Sequence, residues 1–288
     1  MKRILALFLA GVIVLCAAPA FGSETDHISA VSPYINELQE NSERYEKYAD
    51  KNPTLSRRDI VMAVNLKLDE ANYKNIIISE HPESLTVLLS KHYAIDQSYR
   101  PDNLVNIHSK YGASHIQLRS DCYDAFLEMA AAMESEGLVP YIHSGYRINT
   151  KRGGPDSLWY AWPGHSEHQT GLALDLKRKG HEYATLGEHK YQNTAEYAWL
   201  CKNAWKYGFI HSFPKGKTGI TGFGFEPWHW RYIGKDISTA MRANGYETYY
   251  EYWAERMLGI TVTAYGEPIQ AQPLGRTDGE IFSEFGCM

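Results

Sequence analysis

Two short stretches carry side chains that could hold a metal ion beside a base. The first is Ser166-Glu-His168-Gln-Thr-Gly171-Leu-Ala173-Leu-Asp175-Leu176. Its second half reads as a β-strand, in which successive side chains point to opposite faces. Leu172, Leu174 and Leu176 then enter a core, while Gly171, Ala173 and Asp175 share the other face. Asp175 thus ends a row of minimal side chains, which leaves room beside a carboxylate. His168 lies just before the strand and can curl over the same face. The second stretch is Glu226-Pro-Trp-His229-Trp-Arg231-Tyr232. Pro227 disfavours helix at Glu226. In an extended chain Trp228, Trp230 and Tyr232 share one face, and His229 and Arg231 the other.

Two imidazoles and one carboxylate, His168, Asp175 and His229, make a three-ligand zinc set with a fourth position open. Zinc lowers the pKa of bound water from about 15.7 to about 7. Glu226, three residues before a ligand, could take that water's proton and pass it to a leaving amine. A third stretch, Ser144-Gly-Tyr146-Arg147, ends a predicted strand. A fixed guanidinium there can bind a substrate carboxylate or a developing oxyanion. The chain has no His-Glu-x-x-His helix of the common metalloproteases. Ser212-Phe-Pro-Lys215 matches the Ser-x-x-Lys of serine carboxypeptidases, but Pro214 breaks the helical turn that motif needs. His165 adjoins the first stretch and is not read as a ligand.

The elements that must position these residues are partly legible. Ser56 caps a predicted helix over Asp59–Leu68. Ser84–Leu89 is rich in β-branched and apolar residues and reads as a strand. Ser120 caps a helix to Glu136, with Cys122, Phe126, Met129 and Met133 on one face and Gly137 as terminator. Leu138–His143 reads as a strand, and Ile148–Trp162, with two adjacent glycines and a proline, as a loop. A strand over Gly171–Leu176, a helix from Thr194 to Tyr207, a turn and strand within Ile220–Ile233, and two short helices ending near Gly245 and Gly259 complete the pattern. Strands and helices alternate irregularly, which favours an α+β fold over a doubly wound parallel sheet.

Of 288 residues, 22% are charged and the formal net charge is −5, so no basic nucleic-acid footprint is present. Lys2 and Arg3 precede an apolar run from Ile4 to Phe21, followed by Gly22 and Ser23. This pattern predicts a secretory signal over residues 1–22, cut near Ala20–Gly22, and an extracytoplasmic protein. An uncleaved leader would instead anchor the chain in the membrane. Cys16 follows Leu15, which is too bulky for lipoprotein processing. Residues 23–83 form a helix-leaning N-terminal segment, 84–259 the catalytic domain and 260–288 an irregular tail. Cys122 and Cys201 fall on apolar helix stripes and read as buried thiols. With Cys287 they make an odd number beyond the leader, so at least one is unpaired within the chain.

Taken together the motifs resemble the VanY-type D-alanyl-D-alanine carboxypeptidases and the related LdcB-type L,D-carboxypeptidases. The likeness runs from about Leu85 to Gly259. It includes Lys91-His-Tyr93, Pro101-Asp-Asn-Leu104, Ser144-Gly-Tyr-Arg147, Pro163-Gly-His-Ser-Glu-His-Gln-Thr-Gly-Leu-Ala173, Trp205-Lys-Tyr-Gly-Phe209, Gly219-Ile-Thr-Gly-Phe223 and Glu226 through Gly234. The resemblance implies a small antiparallel sheet flanked by helices, with one zinc ion in an open groove. It implies His168, Asp175 and His229 as zinc ligands, Glu226 as catalytic base, and Arg147 as substrate and transition-state contact. Ser166 and Tyr146 would help to bind substrate. The implied reaction is hydrolysis of the terminal D-alanine from peptidoglycan stem peptides. The alternatives are L,D-carboxypeptidase action on tetrapeptide stems, a wall endopeptidase, and a non-catalytic wall-binding module on the same fold. Two departures stand out. A longer segment with a Gln usually follows the Arg of Ser-Gly-Tyr-Arg, where this chain has Lys151-Arg152-Gly-Gly154. His211-Ser-Phe213 also replaces a pattern with Arg and Tyr. Both concern the walls of the groove and not its metal set.

Overall fold

The computed structural model of the protein describes residues 37–150, 153–180 and 190–258. All belong to one unit, Tyr34–Met288; a second unit, Met1–Pro33, and with it the expected leader, lies outside the described residues, as does the expected tail. Among the described residues no helix is long and apolar enough to cross a membrane.

The helices are α1 (Ser42–Lys51), α2 (Arg57–Asn65), α3 (Ser120–Ser135), α4 (Ala195–Asn203), α5 (Thr218–Thr221), α6 (Lys235–Ala243) and α7 (Tyr249–Arg256). The strands are β1 (Ile77–Ile78), β2 (Tyr93–Ala94), β3 (Leu104–Asn106), β4 (Gln117–Arg119), β5 (Pro140–Ser144), β6 (Ala173–Arg178), β7 (Phe209–His211) and β8 (His229–Tyr232). Strands β5, β6, β8 and β7, in that order, form a four-stranded sheet in which every neighbouring pair is antiparallel. Two short pairs, β1 with β2 and β3 with β4, lie outside it. This is the small antiparallel sheet with helices that the resemblance implied.

Capping sets several helix starts. Ser56 Oγ accepts from the Asp59 amide at α2 and Thr194 Oγ1 from the Tyr197 amide at α4, both at 3.1 Å. Thr248 and Glu251 form a capping box at α7. At α3 the expected cap is displaced. Arg119 holds the cap position without a side-chain bond, and Asp121 Oδ1 accepts from the Cys122 amide instead. Helix α3 buries Cys122, Phe126, Met129 and Met133 against Leu172, Leu174 and Leu176 of β6 and its approach, all fully buried. Each such leucine contributes about 1.5–3 kcal/mol by leaving water.

The segment Ser84–Leu89 corrects a sequence expectation: it pairs with no strand. Side chains take its carbonyls instead. Arg231 Nη2 donates to Leu85 O and Val87 O at 3.1 and 3.0 Å, Tyr249 Oη to Thr86 O at 2.6 Å, and Tyr250 Oη to Leu89 O at 2.8 Å. An apolar extended run needs its backbone satisfied, but not necessarily by a ladder. Cys122 is a free buried thiol, as expected. Cys201 is not: it is disulfide-bonded.

Candidate active site

The site lies on the face of β6 and β8 opposite the leucines. Their antiparallel register sets Asp175 directly across from His229, and Ala173 across from Arg231. His168 sits in a 3-10 turn, Glu167–Thr170, which Gly171 closes in the left-handed region at φ 70° before the chain enters β6. The two imidazoles meet edge to face with ring centres 4.9 Å apart.

The turn after β5 aims His168. A β-carbon at Gly145 would stand 2.4 Å from Gln117 O, so only glycine lets the turn pass β4 this closely. The Gly145 carbonyl then accepts from His168 Nδ1 at 2.8 Å. That bond puts the proton on Nδ1 and leaves a lone pair on Nε2.

His168, Asp175 and His229 each offer a ligand atom within 4.8 Å of the other two, and all three residues are buried. His168 Nε2 faces Asp175 Oδ2 at 3.2 Å but has no hydrogen-bond partner. A lone pair facing a carboxylate oxygen in a dry site is repulsive unless a cation stands between them. This orphaned nitrogen fits a metal ion, and a nitrogen-nitrogen-oxygen donor set suits zinc.

The electrostatics agree. Burial raises the Asp175 carboxyl, but the two imidazoles beside it, His168 and His229, hold it well below the usual carboxylate range. Burial lowers His168. Burial also works against a charged His229, yet bonds to Asp175 and Glu167 outweigh it and raise the ring to about 10. Without a metal, a proton on His229 supplies positive charge between those carboxylates.

Glu226 is the contrary case. Its side chain is 15% exposed, with Oε2 3.9 Å from His229 Nδ1. Burial pushes its pKa up to about 7; the nearby Asp175 adds to this, and His229 and Arg147 oppose it. A carboxyl poised there can exchange a proton near neutrality. Its backbone is held by its amide bond to Phe213 O at 3.1 Å and by His211 Nε2, which donates to Glu226 O at 2.9 Å.

Arg147 lies exposed at the mouth, its charge felt by both His168 and Glu226. Asn149 braces it, accepting from Nη1 at 3.3 Å and donating to Ala161 O at 2.7 Å. Ser166 opens the 3-10 turn and is buried; Tyr146 is half-buried, with its hydroxyl unpartnered and Arg100 over its ring. Among the described residues no hydrogen bond joins either side chain to the ligand cluster. His165 Nδ1 lies 2.6 Å from Ser90 O.

Residues 115–235 match a family model described as VanY, D-alanyl-D-alanine carboxypeptidase. The span contains every site residue named above. A D-alanyl-D-alanine carboxypeptidase of Enterococcus faecium is 30% identical over 253 residues, covering 81% of this chain and 78% of that protein. The chain belongs to the VanY family. A putative carboxypeptidase, YodJ, of Bacillus subtilis (strain 168) is 34% identical over 192 residues, 60% of this chain and 69% of that one. The solved structure of the LdcB LD-carboxypeptidase superposes with a TM-score of 0.56 at 32% identity, covering 63% of this chain and 91% of LdcB. This VanY-family chain is therefore a carboxypeptidase, and its fold is that of its relatives.

Sequence reasoning left three buried residues of this carboxypeptidase without a role. Glu167 Oε2 accepts from His229 Nε2 at 2.9 Å and from Ser212 Oγ at 2.7 Å, and Arg231 Nη1 lies 3.3 Å from Oε1. Burial would raise Glu167, but the Arg231 charge and the bonds from His229 and Ser212 lower it to about 2. Ser212, dismissed as part of a chance motif, is thus a buried donor behind the ligands. Arg231 shared a predicted face with His229, and that was the one available signal.

Proposed function

We propose that this protein is a zinc-dependent D-alanyl-D-alanine carboxypeptidase that removes the terminal D-alanine from peptidoglycan stem peptides. The observation that carries it is the meeting of His168, Asp175 and His229 beside Glu226. One zinc ion held by the three ligands would acidify water and polarise the scissile carbonyl. Glu226 takes a proton from the attacking water and returns it to the departing amine nitrogen. Arg147 at the mouth binds the terminal carboxylate or the oxyanion as it forms, and Ser166 and Tyr146 line the approach to it. Export of the chain by its leader would bring it to the cell wall, outside the cytoplasm.

Purified protein should release D-alanine from a pentapeptide ending in D-alanyl-D-alanine. Chelation and Glu226→Ala should each abolish release; release that survives both would sink the mechanism. The likeness to LdcB favours a second reading, cleavage of the L,D bond of tetrapeptide stems by the same site. Mass spectrometry of digested muropeptides separates the two, because it shows which bond is cut.

A further inference from the structure

His229 lies between two carboxylates. Asp175 Oδ1 is 3.1 Å from its Nδ1 and Glu167 Oε2 is 2.9 Å from its Nε2. A neutral imidazole has one N–H and one lone pair, so only one of these carboxylates can receive a proton from it. We infer that Glu167, anchored by Arg231, is a positioning residue that takes this N–H and so presents Nδ1 of His229 to the metal. The inference rests on the zinc reading above and goes beyond the three ligands to what aims one of them.

Three facts favour Glu167 as the acceptor. Its other contacts are with donors: Ser212 Oγ at 2.7 Å on the same oxygen and Arg231 Nη1 at 3.3 Å on the other. Asp175, in contrast, also faces the orphaned His168 Nε2, so its oxygens are wanted by the cation. Nδ1 of His229 points towards Asp175, where the ligand atoms converge; Nε2 points away from them to Glu167.

The anchor is itself fixed. Arg231 is fully buried on β8, two residues after His229, and its Nη2 donates to Leu85 O and Val87 O. Arg231 therefore ties Glu167 both to the strand that carries the ligand and to the extended segment beside it. Partners of this kind orient a ligand imidazole, and their loss typically costs about 10- to 100-fold in metal affinity. Glu167 is not a rival base: it is 3% exposed, and its oxygens are occupied by three donors.

The rival explanation is an ion pair that serves folding alone. Protein labelled with nitrogen-15 histidine and loaded with cadmium-113 tells the two apart, because coupling identifies the nitrogen on the metal. Coupling at Nδ1 of His229 and Nε2 of His168 is expected; coupling at Nε2 of His229 overturns the inference while leaving the zinc enzyme intact. In chelator competition, Glu167→Ala should bind zinc about 10- to 100-fold more weakly. Glu167→Gln, which keeps an acceptor oxygen, should lose clearly less. Wild-type affinity in a folded Glu167→Ala protein also overturns the inference. If that variant does not fold, the coupling measurement on unaltered protein decides alone. A protein that binds neither ion overturns both the inference and the zinc reading beneath it.

Discussion

On the floor of the site, His168, Asp175, His229, Glu167 and Arg231 are all buried, and each is held by another fixed group. The rim formed by residues 148–150 and 153–162 is the reverse. Trp159 and Tyr160 are 56% and 62% exposed, and Ile148 and Leu158 are also open to solvent. Yet the rim is not loose where it is described: Gly224 donates to Leu158 O at 2.9 Å, Trp162 Nε1 to Gly153 O at 2.9 Å, and Lys91 Nζ to Pro155 O at 3.1 Å. The floor is constrained from within, because a buried charge without a partner costs several kcal/mol. The rim meets no such constraint, because its exposed side chains remain in contact with water. Floor and rim are therefore governed by different physics, and they should respond differently to substitution.

The largest expected effect is on the floor. Asp175→Ala, or exhaustive chelation, should reduce hydrolysis to background and zinc content to near zero by elemental analysis. Normal zinc binding in Asp175→Ala would break the comparison outright. Glu226→Gln should lower kcat by about 10²–10⁴-fold with zinc content unchanged.

The same residue predicts a pH effect. A base works when ionised, and burial raises the Glu226 carboxyl to about 7, so activity should fall on acidification. A nearby cation favours the ionised form, so the acid limb of kcat/KM should lie no higher than about pH 7. That limb should vanish in Glu226→Gln; a limb that persists there belongs to another group.

Arg147 stands between the two regions, exposed yet within electrostatic reach of the ligands. Arg147→Ala should cost about 100- to 1,000-fold in kcat/KM on a peptide with a free terminal carboxylate. A loss of only a few fold would move it to the rim. The smallest effect is expected from Trp159→Ala with Tyr160→Ala. Stability should change by about 0.5 kcal/mol or less per residue. Any kinetic change should appear in KM, measured with stem peptides of different length; a large drop in kcat would show that the rim belongs to the chemistry.

The site was more legible in the sequence than its surroundings. His168, Asp175, His229 and Glu226, which the structure brings together, were singled out because strand alternation and short spacing are local. Arg147 was singled out because a guanidinium after Ser-Gly-Tyr ends a strand. Ser84–Leu89 misled because its composition suits a strand, while its neighbours turned out to be side chains of Arg231, Tyr249 and Tyr250. Cys201 misled because an apolar helix stripe says nothing about a distant thiol.

Side-chain alternation, capping residues and the ligand types are properties of a few adjacent residues, and they determined the α+β class, the leucine face of β6 and the chemistry on its other side. Only the tertiary structure decided that β6 and β8 are neighbours in the register that sets Asp175 across from His229, and that Ser212 and Arg231 converge on Glu167. The reason is that register and burial depend on contacts between residues tens of positions apart. A one-residue slip of β8 would turn His229 to the opposite face without changing a letter of the sequence.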